Sequence, residues 1–196
     1  MTLRRTYRDA GQAFPVYITV VAGLLFLAFA YLAVGQAAVN RNGAQTAADA
    51  AALAAAQKSR DQLADAWVRD VLDPTKWRDI FDGIGADNSC WRAGQLAARN
   101  DARLNGCDPG VLEYTVDVTT NKSVGDSIVP GTENVRSTAS AKAVIEPLCT
   151  FELPGEGAGG DTLPELTCKD RDWQLAPDDL TDLPGPEDLF DVHLAE

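Results

Sequence analysis

Residues Phe14 to Gly35 read FPVYITVVAGLLFLAFAYLAVG, twenty-two consecutive positions without a charged side chain. As an α-helix rising 1.5 Å per residue the run is about 33 Å long, enough to cross a hydrocarbon layer of about 30 Å. Pro15 falls in the first turn, where its missing N–H costs little. Tyr17 and Tyr31 lie toward the two ends, where amphipathic rings suit a membrane interface. Arg4, Arg5 and Arg8 precede the run and only Arg41 follows it closely. The positive-inside bias therefore predicts a cytoplasmic basic N-terminus (1–13), a transmembrane helix in the cell membrane (14–36) and an extracytoplasmic remainder. The competing reading is a cleaved secretory signal ending near Gly35 to Ala38. Such apolar regions usually run about 7–15 residues, which favours the anchor.

The chain beyond Gln36 is built to stay helical. Nine of the thirteen residues from Ala44 to Ala56 are alanine, the best helix former, and Gly43 is a single weak point costing about 1 kcal/mol relative to alanine. No proline intervenes before Pro74. Leu63, Ala64, Trp67, Val68, Val71 and Leu72 recur on one helical face. A single helix from about Pro15 to Leu72 would be about 85 Å long, with 37–72 as an alanine-rich stalk. Small residues let helices approach closely, so Ala44, Ala47, Ala48, Ala51 and Ala55 are candidates for lateral packing against copies or partners. A plain spacer is the alternative.

The run from Gly11 to Gln57, above all AQTAADAAALAAA after a hydrophobic helix, resembles the N-terminal segment of TadE/TadG-like proteins of Tad (Flp) pilus-assembly systems, nearest to actinobacterial TadG-related members. The resemblance implies a membrane-anchored structural or assembly component, minor pilin-like, whose partners are the lipid bilayer and other pilus proteins along the long helix. It also points to Gly11 and Gln12 as the place where a prepilin-type leader would be cut. Pilin-like precursors usually carry glutamate at the fifth mature position and often an aromatic residue next. Here those positions are Val16 and Tyr17.

Beyond the helix, 73–148 reads as a small extracytoplasmic α+β domain. Asp73-Pro74 is a helix restart signal, and a short helix to about Asp82 would turn Trp77, Ile80 and Phe81 inward. One unbroken helix through Asn105 would hold Cys90 and Cys107 about 25 Å apart, beyond the roughly 7 Å a disulfide allows. A helix from Cys90 to about Arg99, a turn at Asn100-Asp101 and a returning strand from Ala102 to Cys107 bring the two together. That piece resembles the AARNxAxLxxC pattern of TadE-like domains. Asp108-Pro109-Gly110 reads as a turn. Val111, Leu112, Tyr114, Val116 and Val118, then Val135, Thr138 and Ala143 to Ile145, alternate as strands. The expectation is a three-stranded antiparallel sheet with a packed helix, a pilin-like arrangement.

Four separated cysteines behind a membrane segment suggest two disulfides. Cys149 and Cys168 could close the Gly-rich loop GEGAGG, although sequence alone leaves the connectivity of Cys90, Cys107, Cys149 and Cys168 open. A zinc site would need all four thiolates at spacings of 17, 42 and 19, unlike the usual knuckles. From Thr150 to Glu196 there are thirteen acidic residues against Lys169 and Arg171, and five of the ten prolines. Residues 149–196 are therefore expected to be a disordered acidic tail. The net charge of −12 leaves no basic footprint for nucleic acid.

No residue set suggests an enzyme, a cofactor or a small-molecule substrate. The only histidine, His193, falls in the expected tail, and no GxSxG, Walker-type or GxGxxG sequence occurs. Asp79, Asp82, Asp87 and Asn88 do not follow calcium-loop spacing and read as turn residues. A membrane-anchored envelope binding protein outside any filament is the second function class the sequence allows.

Overall fold

The computed structural model describes residues 13–123, 134–153 and 163–195. Helix α1 (Ala13–Arg69) is continuous through the apolar run and the alanine-rich stretch. A 3₁₀ turn (Pro74–Lys76) leads into α2 (Trp77–Phe81), and α3 spans Cys90–Arg99. Strands β1 (Ala102–Gly110), β2 (Glu113–Thr120) and β3 (Thr138–Pro147) form an antiparallel meander. The fold class is α+β: α1 and α3 cover one face of the sheet, and the core lies between.

The inward residues follow the period of two expected of a half-buried strand. Tyr114, Val116 and Val118 of β2 and Ala141, Ala143 and Ile145 of β3 are buried. Against them α1 presents Ala44, Ala47, Ala48, Ala51, Ala52, Ala55 and Ala56, every one fully buried. Methyl side chains give little area each, but they let the helix lie close on the sheet and on α3. Farther along, the helix widens to Leu63 and Trp67, also buried. The Trp67 ring meets that of Trp77 at 5.3 Å, and Phe81 meets Phe190 at the same distance.

The acidic tail is corrected by the structure. Its described residues fold into β4 (Cys149–Phe151), β5 (Leu166–Cys168), β6 (Asp172–Trp173), α4 (Pro186–Leu189) and β7 (Phe190–Leu194). Strands β4, β5 and β6 make a second small sheet, while β7 pairs antiparallel with β3. The main sheet thus has four strands, in the order β1-β2-β3-β7, rather than three. Average composition concealed a few well-placed apolar residues. Leu166, Trp173, Leu189 and Phe190 are buried, and side chains of this size contribute about 1.5–3 kcal/mol each on full burial. The open edge of β3 supplies the backbone partners, so ordering β7 is offset by ladder hydrogen bonds as well as burial.

A second correction concerns the first hairpin. Strand β1 runs on through Asp108-Pro109-Gly110, and the two-residue turn is Val111-Leu112, with Gly110 opposite Glu113. A Cβ on Gly110 would come within 2.6 Å of the Glu113 side chain, so a larger residue here would displace that side chain. Leu112 takes the left-handed conformation (φ 54°), a state that costs a non-glycine residue roughly 1–2 kcal/mol. Its carbonyl accepts the Ile145 N–H at 2.8 Å, which holds the turn over the sheet. The disulfides join Cys90 to Cys107 and Cys149 to Cys168.

Candidate membrane and assembly interface

Helix α1 has two surroundings. Between Phe14 and Val39 its apolar side chains stand clear of the rest of the chain: Phe26 is 71% exposed and Tyr31 81%. Soluble monomers rarely present an apolar surface of this extent, which marks a membrane or protein interface. The helix is long and apolar enough to cross a bilayer. The Thr19 side chain in its first turns is accommodated locally, since the hydroxyl donates to the Pro15 carbonyl at 2.8 Å. Gly11, Gln12 and the basic residues Arg4, Arg5 and Arg8 lie outside the described residues. Val16 and Tyr17 are on the exposed helix.

The change of surroundings occurs at Asn40. The Thr120 hydroxyl donates to Asn40 Oδ1 at 3.0 Å, and Asn40 Nδ2 donates to the Lys122 carbonyl at 3.3 Å. Both partners sit where β2 ends, so this amide clips the helix to the near end of the domain. Below the clip a groove of about 630 Å³ opens between the helix residues Tyr31, Gly35 and Val39 and the loop residues Asp101 and Lys122. Nothing in the local sequence around Asn40 announces this role, which depends on chain segments eighty residues away.

The alanines singled out for lateral packing do pack, but inside their own chain. Ala44, Ala47, Ala48, Ala51 and Ala55 have no exposed surface, because β2, β3 and α3 cover them. The stretch read as a stalk is the central helix of the domain.

At the far end, Tyr114, Ser59 and Ser89 form a buried polar cluster. The Ser59 oxygen lies 2.7 Å from the Tyr114 hydroxyl, the Ser59 hydroxyl donates to Ser89 Oγ at 3.0 Å, and the Ser89 N–H donates to the Tyr114 oxygen at 3.1 Å. Three elements are thereby tied together with every group partnered, as a buried network requires. Beside it lies an open cleft of about 440 Å³ with Leu63, Val111 and Leu112 on its walls and Asp82 and Asp87 among its lining. The residues weighed for calcium have ordinary work here. Asn88 Oδ1 accepts the Cys90 N–H at 2.8 Å and so starts α3, while the Asp87 N–H donates to Gln62.

His193 is on β7, not in a free tail. Its Nδ1 lies 3.1 Å from Asp191, and Glu146 faces Asp191 across the strand pair. All three side chains are exposed, so solvent screens the like charges that Glu146 and Asp191 set opposite each other.

Two exposed carboxylates near turns are held below the ordinary range by neighbouring hydroxyls: Asp73 by Thr75 and Asp179 by Thr181. Lys76 is held above its ordinary range by the Asp70 carboxylate, 2.6 Å away. The contacts of Asp70, Asp73 and Lys76 shape the chain reversal after α1, and the Asp179 contact closes a turn in the C-terminal segment.

Residues 11–58 match the Tad family model, described as Flp pilus-assembly TadE/G-like. The match spans the exposed apolar helix and the first half of its buried continuation. No curated protein matches the chain, and no solved structure matches it.

Proposed function

We propose that this chain, whose residues 11–58 are a TadE/G-like segment, is a minor pilin-like structural component of a Flp-type pilus-assembly apparatus. In this reading Phe14–Gly35 anchors it in the cell membrane and the disulfide-bearing domain stands outside. The observation that carries the proposal is the continuity of α1, one helix that is bare and apolar at its start and becomes the core of the folded domain. Such a helix couples the two mechanically, because no proline interrupts it after its first turn and only the isolated glycines Gly35 and Gly43 flank the junction. An assembly machine that grips or moves the membrane helix would move the domain with it. The lateral contacts would be made by the exposed Phe14–Val39 half, since the alanine face beyond it is already occupied.

The reading assigns no enzymatic role and no bound cofactor. Val16 stands where a cleaved pilin-like precursor would carry glutamate, which favours retention of the helix in the bilayer over cleavage after Gly11. Mass spectrometry of the mature chain decides this: a start at Gln12 would establish processing. The assembly role is tested by shearing cells and by affinity purification of the full chain. Recovery with sheared surface material or with inner-membrane pilus proteins is expected. A free membrane monomer, together with unchanged surface filaments after deletion, would sink the proposal. The distal cleft beside Tyr114 supports a second reading, an anchored envelope binding protein, which that same outcome would favour.

A further inference from the structure

The near end of the domain carries a charge opposite to that of the rest of the chain. Arg41 follows the Asn40 clip, Arg99 ends α3, Arg103 pairs with Thr119 at the start of β1, Lys122 follows β2, and Arg136 precedes β3. All five are exposed. Asp101 is the one acidic residue among the described residues of this end, where it pairs with Lys122 at 2.9 Å. By sequence, the 124–133 connection adds only Asp126 and Glu133, so the end stays net positive in a chain whose formal charge is −12. The five residues are dispersed from position 41 to 136 and become one patch only because three loops and the helix meet there.

The height of this patch is set by the helix. From Gly35, where the apolar run meets Gln36, to Asn40 is five residues, about 7–8 Å along the axis. The headgroup layer adds about 5–7 Å on each side of the hydrocarbon. The basic end therefore falls at the outer boundary of the headgroups, with no length of helix left to hold the domain away. The groove below Asn40 has an apolar wall of Leu32, Gly35 and Val39 and a polar wall of Asp101 and Lys122. That is the order in which a phospholipid presents its acyl chains and its headgroup.

We infer that the domain is seated directly on the bilayer, its basic end held against anionic phospholipid headgroups around the helix exit. The inference rests on the reading of Phe14–Gly35 as a membrane span and holds for either leaflet. Its consequence is a fixed orientation. Basic side chains contributed by several elements resist tilting of the domain, while the acidic remainder is repelled by the same surface.

The test uses the full chain in vesicles of phosphatidylcholine with phosphatidylglycerol. Nitroxide labels are placed singly at Leu27→Cys, Asn121→Cys and Val111→Cys; the native cysteines are all disulfide-bonded and do not compete. Depth is read from the relative access of oxygen and a water-soluble nickel complex. The expected result is hydrocarbon depth at Leu27, headgroup depth at Asn121 and bulk water at Val111. In the double variant Arg103→Glu and Lys122→Glu the Asn121 label should shift to the aqueous value, and in the milder Arg136→Gln it should shift part of the way. An aqueous Asn121 with Leu27 still in the hydrocarbon would overturn the seat and leave the span standing. An aqueous Leu27 would remove both. Protection at Asn121 that vanishes when the protein is diluted in lipid would assign the patch to contact between copies and overturn the inference.

Discussion

The two halves of α1 share one backbone and a similar apolar content, yet one half has no protein around it and the other is the centre of a fold. The difference is side-chain size. From Phe14 to Val39 the helix carries Phe, Tyr, Leu and Val on every side, an all-round apolar surface of the kind that suits lipid or a buried setting. From Ala44 onward large residues are withdrawn from one face. The strands and α3 approach to within van der Waals contact of the alanines, and bulk returns only at Leu63 and Trp67. Hydrophobicity alone does not distinguish a membrane helix from a core helix, whereas the distribution of volume around it does.

The contrast is broken most severely at the wide end of the buried half. Trp67→Ala should cost about 3–5 kcal/mol, read as a lowered urea midpoint, because the Trp77 ring would lose its neighbour in the aromatic cluster. In the exposed half the corresponding injury is a charge. Leu27→Arg should disfavour insertion by about 2.5–3.5 kcal/mol and release the protein from membranes at alkaline pH. Retention as tight as that of the unaltered chain would count against the span. The comparison is sharpened by one change made twice. Ala51→Leu should destabilise the domain by about 1–3 kcal/mol through overpacking, whereas Ala28→Leu should stay within about 0.5 kcal/mol; equal effects in thermal melts would refute the size argument.

The smallest effect lies where α1 ends. Hydrogen bonding from Thr75 keeps Asp73 ionised below the ordinary carboxylate range. Its contribution is therefore complete above that range and fades as pH falls through the lowered value. Thr75→Ala should therefore lower the urea midpoint slightly near neutrality, with the difference from the unaltered chain vanishing in acid, so that the acid limb of the stability profile is a little flatter.

Much of the fold is legible along the chain because the signals are local. Asp73-Pro74 marks the restart into α2, the Cys90–Arg99 helix ends where Asn100-Asp101 turns, and alternation in Tyr114, Val116 and Val118 identifies β2. The first hairpin is misplaced by its sequence signal, since Asp108-Pro109-Gly110 has turn composition, while the actual turn uses Leu112 at an unfavourable φ stabilised by the Ile145 hydrogen bond. Strand β7 does leave a trace, as FDVHL alternates apolar and polar residues with period two. That trace is outweighed by the acidic and proline-rich composition around it. The Asn40 clip, the Ser59–Tyr114 contact and the basic end leave no trace, because each joins segments far apart in sequence.

The sequence by itself determined that a long apolar helix stands near the start of this chain, that it continues through the alanines, and that short helices and then a run of strands follow Pro74. Those features follow from hydropathy, backbone propensity and periodicity, which act over a few neighbouring residues. Only the tertiary structure decided what the alanine face touches, that the acidic C-terminal segment completes the sheet, and that scattered arginines meet around the helix exit. Each depends on burial and pairing between distant segments, and those energies do not exist until the chain has closed on itself.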